Sequence, residues 1–354
     1  MSTRVMPDLA ALDISGSPYE VGLQLGRFGA RITHDYLRHS PAWLGVMAHR
    51  ADPKLEEMRR LTQTRYAAYW QELQGLADGL DLPFDDVFLW NCRGDIWALA
   101  PDGCTTVQIP GDIPGAAHLI AHNEDGDPGL RSHCAIARIA PGGGAGFRSF
   151  IYPASLPGHT FAVTDRGLVQ TVNNIRAGAG AAGLPRMVLG RAVLDCQDID
   201  DAIALLKAAP RAGAFHFTLA QAGDPRILSI EFTHNQCSVA GVTGADCHAN
   251  HLVHPRMTGE AQTITASSQA RQRRAREMIA KASTGREVDA LAILWDQANS
   301  TLPIYRAQPD DPDQENTLAT AEFVVAEDAV DCRIHERDGS APVMTFRVPA
   351  AAAA

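Results

Sequence analysis

Pro101-Asp102-Gly103-Cys104-Thr105-Thr106 is the stretch whose reading decides the fold, because the chain changes texture there. Upstream, residues 17–103 read as mainly helical. Val21, Leu25 and Phe28 recur at helical spacing, behind Ser17 as N-cap and Pro18 at the first helical position. A second, long helix is predicted over residues 53–80, where Leu55, Met58, Leu61, Leu73 and Leu76 fall near one stripe and Gly79 offers an end. A third, shorter helix starts at Pro83-Phe84-Asp85.

Downstream, short β-type runs follow one another: TTVQI, HLIAHN, CAIARI, FRSFIY, TFAV and LVQTV, separated by Pro, Gly, Asn and Asp. They read as a meander of antiparallel strands. Helices are predicted over 187–196 and 199–208, then strands in FHFTLAQ, ILSIEFT and QCSVAGV. Helices return over 268–281 and 288–298, and the chain closes with strands in TAEFVVAE, CRIHE and MTFRV. Runs of strands and runs of helices, without βαβ alternation, place the chain in the α+β class. Two antiparallel sheets stacked face to face with helices outside would use all of these elements.

The composition is that of a globular domain: 354 residues, 45% hydrophobic and 20% charged. A formal net charge of −10 argues against nucleic acid and against anionic membrane as partners. The one basic run, Arg271 to Arg276, reads as a solvated helix face. The N-terminal residues lack an apolar segment behind a basic start, and no stretch approaches 18 apolar residues, so neither a secretory signal nor a membrane span is expected. Seven widely spaced cysteines without a Cys-x-x-Cys pair fit a reduced, cytoplasmic protein.

The chemistry concentrates at Gly103-Cys104. Glycine lets the backbone adopt a strained conformation ahead of a thiol able to attack its carbonyl. An N-to-S shift followed by hydrolysis would leave Cys104 as a new N-terminus. Its α-amine, with a pKa of about 7.7–8.0, would then serve as base for its own thiol at about 8.5. A turn with a buried structural cysteine is the alternative for Gly-Cys-Thr taken alone.

The surrounding residues resemble the isopenicillin N acyltransferase family, also called the penicillin acyl-coenzyme A acyltransferase family. Asp102-Gly103-Cys104-Thr105-Thr106 is followed by a strand and His122-Asn123-Glu124-Asp125. Gly16-Ser17-Pro18-Tyr19-Glu20 with Gly22 and Gly26 is similar to the family's N-terminal helix. Glu72 to Ala77 and Asn91-x-Arg93-x-Asp95 resemble its segment before the cleavage point. Gly167-Leu168-Val169 with Asn173 and Asn174, His248-Ala249-Asn250-His251, and Ser268 with Arg271 follow in the family's order. The resemblance implies a four-layer αββα sandwich of the N-terminal nucleophile hydrolase fold. It implies one domain, self-cleaved into residues 1–103 and 104–354, which stay together as an α/β heterodimer able to assemble further with copies of itself. Cys104 would be the nucleophile, Asn250 would donate to the oxyanion, Asp125 would orient the amine and Thr105 would support the site. Glu124, Gly126, Asn173, Asn174 and Arg306 are the expected substrate contacts.

Two departures bear on substrate. The family's arginine ahead of a Gly-Ala-Thr-Leu strand has no counterpart in Asp313-Gln314-Glu315-Asn316-Thr317-Leu318, where Arg306 is the nearest arginine. The aromatics expected after the aspartate are replaced by Gly126 and Asp127. The expected substrate is therefore a small N-acyl amide rather than a penicillin. The family's β-alanyl amide hydrolases offer a model, and Glu124, Asp125 and Asp127 suit a cationic amine. Acyl transfer to an amine is the alternative activity, and a catalytically silent metabolite-binding protein the alternative class. No cofactor is implied.

Two other patterns carry less. His248, His251 and His254 would spread over about 300° of a helix, or onto both faces of a strand, which suits no single metal ion. Gly178-x-Gly180-x-x-Gly183 formally matches a dinucleotide fingerprint, but residues 173–177 separate it from the preceding strand and Pro185 interrupts the following helix.

Overall fold

The computed structural model describes residues 9–97, 103–113, 115–178, 180–282, 288–308 and 311–351. Pro101 and Asp102 of the opening motif lie outside them. The first half holds strand β1 (Ala10–Gly16) and helices α1 (Pro18–Asp35), α2 (Pro41–Met47), α3 (Lys54–Arg65), α4 (Ala67–Leu80), α5 (Phe84–Asn91) and α6 (Arg93–Ile96). Strands β2 (Gly103–Ile109), β3 (His118–Gly126), β4 (Ala135–Pro141), β5 (Phe147–Ile151), β6 (Ala162–Thr164) and β7 (Leu168–Asn174) follow. After α7 (Arg186–Val193) and α8 (Ile199–Ala208) come β8 (Phe215–Gln221), β9 (Ile227–Phe232), β10 (Cys237–Gly241) and β11 (Asp246–His248). The chain continues through α9 (Ala266–Lys281), α10 (Ala290–Leu294), β12 (Asn316–Val325), β13 (Ala329–His335) and β14 (Met344–Pro349).

The strands form two sheets. One runs β1-β4-β5-β6-β7-β8-β9-β10, the other β11-β2-β3-β12-β13-β14. The meander expected from β4 onward is present, with antiparallel neighbours through β10. The departure is β1, which joins β4 in parallel. Its Leu-x-Ile alternation is a strand signal, but the partner lies far along the chain. The sheets face each other through β2 on one side and β7 and β8 on the other: Gln108 Nε2 donates to Thr218 Oγ1, and Thr106 Oγ1 to Asn173 Oδ1 at 2.8 Å. Helices α7 and α8 cover the outer face of the first sheet, where Met187, Val193, Ile199 and Leu206 pack on Leu168, Phe217 and Ile230. Helices α9 and α10 cover the second, where Ala275, Ile293 and Leu294 pack on Val107 and Ala121. This is a four-layer αββα sandwich.

Ser17 caps α1 in a full capping box with Glu20, and Pro18 opens it. Helices α1 and α4 lie backbone to backbone: a Cβ on Gly22 would collide with the Glu72 carbonyl, and one on Gly75 with that of Tyr19. The predicted single helix over 53–80 is two. Tyr66 leaves helical geometry at φ −133°, ψ 57° and stacks on Tyr69 with ring centroids 5.2 Å apart. No described helix is long and apolar enough to cross a membrane.

Candidate active site

Strand periodicity builds the site. On β2, Thr106 and Gln108 point into the space between the sheets, whereas Thr105 and Val107 point toward α9 and α10. On the antiparallel neighbour β3, His122 and Glu124 share the inter-sheet space with Cys104 and Thr106. The register sets Cys104 opposite Glu124 and Gly103 opposite Asp125.

Cys104 is 2% exposed, and its main chain is held on both sides. Its N–H donates to Asn250 Oδ1 at 3.0 Å, and its carbonyl accepts from Arg271 Nη1 at 2.6 Å. Arg271 also donates to Thr105 Oγ1 and to Asn250 Oδ1, each at 2.7 Å. Burial lowers the Arg271 pKa, with Asp125 opposing. The expectation of a solvated basic face holds for Arg273, Arg274 and Arg276, whose side chains reach exposed or partly exposed surface, but not for Arg271, which is 1% exposed. A helix turns about 100° per residue, so one face of α9 delivers Ser267, Ser268 and Arg271 inward while Arg273 faces out.

Asn250, expected as an oxyanion donor, presents its oxygen to the Cys104 nitrogen. Its Nδ2 donates to the Asn174 carbonyl at 3.1 Å. Ser268 Oγ accepts from Asn250 N at 2.9 Å and fixes the turn that follows β11.

Beside the thiol lies a buried polar chain. Cys104 Sγ is 3.9 Å from Glu124 Oε2. Glu124 Oε2 is 3.2 Å from His122 Nε2, and its Oε1 accepts from Tyr152 at 3.0 Å. His122 Nδ1 is 2.8 Å from Thr106 Oγ1, whose hydroxyl is committed to Asn173 Oδ1. His122 must therefore donate from Nδ1, and its Nε2 lone pair faces a carboxyl oxygen. One proton has to lie between those two atoms. Burial holds the His122 ring at about 3, well below its ordinary value.

Asp125 is also fully buried. Its Oδ1 accepts from Thr317 at 2.7 Å, and its Oδ2 lies 3.8 Å from Arg306 Nη1. Burial raises its pKa against the pull of Arg306 and Arg271. Arg306, expected at the substrate, is 1% exposed and ion-paired instead with Asp311, Asp313 and Glu315. Glu315 is pushed up to about 7 by burial, opposed first by Arg306. This cluster closes against Gly103: a Cβ there would overlap Glu315 Oε2 and stand 2.8 Å from Arg306 Nη1.

A cleft of about 440 Å³ opens beyond Tyr152 and Gly126, walled by Tyr36, Trp90, Trp97 and Tyr152 with Asp127 on its lining. Asp127 accepts from Tyr36 at 2.8 Å. Of the expected substrate contacts, Gly126 lines this cleft. Glu124 lies behind Tyr152, at the thiol. Asn173 and Asn174 are buried elsewhere: Asn173 bonds Thr106, His216 and the His248 carbonyl, and Asn174 bonds Arg186.

Cys104, His122 and Glu124 offer metal-ligand atoms within 4.8 Å of one another, but an ion there would block the thiol. His248, at the end of β11, and His254 flank the same carboxylate, Glu231, whereas His251 turns away. His248 pairs with Glu231 at 2.8 Å, His251 with Ser268 at 2.8 Å, and His254 with Ser229 and Ser238.

Residues 114–338 match the family model described as acyl-coenzyme A:6-aminopenicillanic acid acyl-transferase. The match begins ten residues after Cys104 and contains Asp125, Asn250 and Arg271. The chain is 28% identical over 258 residues to a beta-alanyl-dopamine/carcinine hydrolase of Drosophila melanogaster. That alignment covers 64% of this chain and 65% of the relative, just under two thirds of its length. Among solved structures, a mutant of a conjugated bile acid hydrolase from Clostridium perfringens aligns with a TM-score of 0.39 at 11% identity, over 70% of this chain and 92% of that one.

Proposed function

The chain belongs to the acyl-coenzyme A:6-aminopenicillanic acid acyl-transferase family, and from that premise we propose that it is a self-processing N-terminal cysteine amidohydrolase. The observation that carries this reading is the clamp on Cys104. Asn250 holds its nitrogen, Arg271 holds its carbonyl, and the thiol is left facing an ionisable pair between the sheets. Cleavage between Gly103 and Cys104 would turn that same nitrogen into an amine, already oriented by Asn250 and near Asp125. The thiol then attacks the substrate carbonyl, its proton passing to the amine. The leaving amine takes that proton, and water hydrolyses the acyl-Cys104 thioester.

The α chain would stay in place after cleavage. It supplies β1 to the first sheet, and Asn91 bonds the Ala154 carbonyl and Leu156 N of the β chain. Seven free cysteines fit a reducing, cytoplasmic setting.

For substrate we propose a small N-acyl amide of a cationic or aromatic amine, of the β-alanyl type. The aromatic cleft and Asp127 suit such an amine, and the relative named above is a hydrolase of such amides. Arg306 is saturated by carboxylates and lies off the cleft, where Arg93, stacked on Trp90, is the lining cation. Transfer of the acyl group to an amine is the second reading, favoured by the family's description, and it shares the thioester.

Intact mass spectrometry of wild type beside Cys104→Ala is the test. Wild type splits after Gly103 and the variant stays whole; an unsplit, folded wild type overturns the mechanism. Incubating the split enzyme with β-alanyl and anionic amides, with and without an acceptor amine, then reads substrate class and fate. Preference for anionic amides would overturn the substrate assignment.

A further inference from the structure

Self-cleavage poses a problem that later turnovers do not. The proposed mature enzyme uses the α-amine of Cys104 as base, but before cleavage that atom is an amide nitrogen without basicity, donating to Asn250 Oδ1. Something else must take the thiol proton the first time. Resting on the self-processing reading above, we propose that the Glu124–His122 pair is the proton acceptor for Cys104 in self-cleavage.

Glu124 places a carboxyl oxygen beside the thiol. Tyr152 fixes its other oxygen. The pair as a whole is uncharged, with one proton between Glu124 Oε2 and His122 Nε2. A second proton makes it a cation; the burial that holds the His122 ring at about 3 opposes this step, and the new thiolate beside the pair favours it. The hydrogen-bond directions also keep that proton local. Asn173 Oδ1 accepts from Thr106 on one side and His216 on the other, so the chain running on through Ser229 and His254 cannot carry a proton away.

The step balances within the chain. The S–H bond breaks and its proton goes to Glu124 Oε2, as the shared proton moves to His122. Sulfur bonds the Gly103 carbonyl carbon. The Gly103–Cys104 C–N bond then breaks as the borrowed proton is delivered to the leaving nitrogen, giving a thioester and a free amine. Water cleaves the thioester, leaving the Gly103 carboxyl and the Cys104 thiol.

Glu124→Gln tests this with little structural penalty, because a glutamine amide can donate to His122 Nε2 and accept from Tyr152 while taking no proton. Self-cleavage is followed by intact mass spectrometry, with and without hydroxylamine, which cleaves thioesters. The expected result is a folded chain, confirmed by circular dichroism, that splits at least about a hundredfold more slowly than wild type and is not rescued by hydroxylamine. Wild-type splitting, or a stall that hydroxylamine releases, would overturn the proposal, the latter by showing that sulfur attacks without Glu124. Glu124→Asp is the second variant, carrying the test if the Gln chain does not fold. Its acid, withdrawn by one methylene, should slow thioester formation without abolishing it, and an unchanged rate overturns the proposal. Wild type and Cys104→Ala run alongside. Failure of the Glu124 prediction with those two behaving as above removes this inference and leaves the self-processing reading standing.

Discussion

Gly103→Ala probes the geometry of the proposed scissile bond directly. The added methyl would overlap Glu315 Oε2 and stand 2.8 Å from Arg306 Nη1, where ordinary contact needs 3.4–4 Å. Neither neighbour yields easily. Both are 1% exposed; Arg306 is tied to Asp311 and Glu315, and Arg176 lies 3.8 Å from Glu315 on another side. Disrupting such a buried ion pair costs about 3–5 kcal/mol, so the strain is shared with the backbone at Gly103. A displacement of about 1 Å at a reacting carbonyl is enough to cost about a hundredfold in rate. The variant should therefore accumulate as intact chain, with a half-time of self-cleavage about a hundredfold longer by intact mass spectrometry. It should also melt lower than uncleavable Cys104→Ala. A second change locates the cause: Gly103→Ala with Glu315→Ala removes the colliding carboxylate, leaving Arg306 balanced by Asp311 and Asp125. Splitting should then recover in part. Wild-type rates in the single variant, or no recovery in the double, would refute the steric argument.

Two further outcomes follow from the same network. Arg271→Lys keeps the charge but cannot bond Cys104 O, Thr105 Oγ1 and Asn250 Oδ1 at once; losing one charged hydrogen bond, about 1.5–3 kcal/mol, should lower kcat/KM about ten- to hundredfold, and unchanged kinetics would contradict the clamp. Asp95, raised by burial to about 7 against the pull of Arg186, is protonated in the folded chain and ionised in the unfolded chain between about pH 4 and 7. Its contribution therefore falls as pH rises through that window, by at most about 1.4 kcal/mol per pH unit, and levels off above it. Urea melts of Asp95→Asn, whose Oδ1 can still accept from Arg186 N, should show a stability advantage over wild type that grows from pH 4 to pH 7; a pH-independent difference would refute the assignment.

Local signals in the sequence reached far in this chain, and their failures have physical causes. Most strand positions were legible because period-2 runs between Gly, Pro and Asn clusters leave few alternatives, and β8 and α8 have the expected limits. The pairing of β1 with β4 was not, since a parallel partner some 125 residues away leaves no local mark. The break at Tyr66 carries no Gly or Pro; packing of Tyr66 on Tyr69 accompanies it. At the candidate site, Cys104, Asp125 and Asn250 were singled out through their neighbours in sequence, and the fold brings Asp125 opposite Gly103 and Asn250 onto Cys104 N. Arg271 was obscured by three outward arginines on the same helix; the small residues Ser267, Ser268, Ala270 and Ala275 on its buried side are the signal that separates it. Asn173 and Arg306, expected at the substrate, are committed to buried partners, because a residue list does not say which buried face a polar side chain joins. Glu124 and His122 sit two residues apart on one strand, which puts them on one face, but only the register with β2 shows that the face is that of the thiol.

Asn250 explains how one arrangement can serve both stages of the proposed chemistry. A side-chain oxygen facing the Cys104 nitrogen accepts an N–H whether that nitrogen is an amide, an amine or an ammonium. The contact at 3.0 Å therefore need not be rebuilt on cleavage. An amide donor in the same place would repel the N–H before cleavage and compete for the lone pair afterwards. Arg271 completes the logic by donating to the same oxygen, which fixes the side-chain amide orientation and leaves Nδ2 directed at the Asn174 carbonyl. What changes on cleavage is the other flank: Gly103, opposite Asp125, becomes a free chain end. The carboxylates there, Asp125 and Glu315, are both held above their ordinary range by burial. Cleavage would create a Cys104 ammonium, which favours the charged form of these acids, and a Gly103 carboxylate, which opposes it. Arg306, already paired with Asp125, Asp311 and Glu315, is the cation beside Gly103 that the new carboxylate would face.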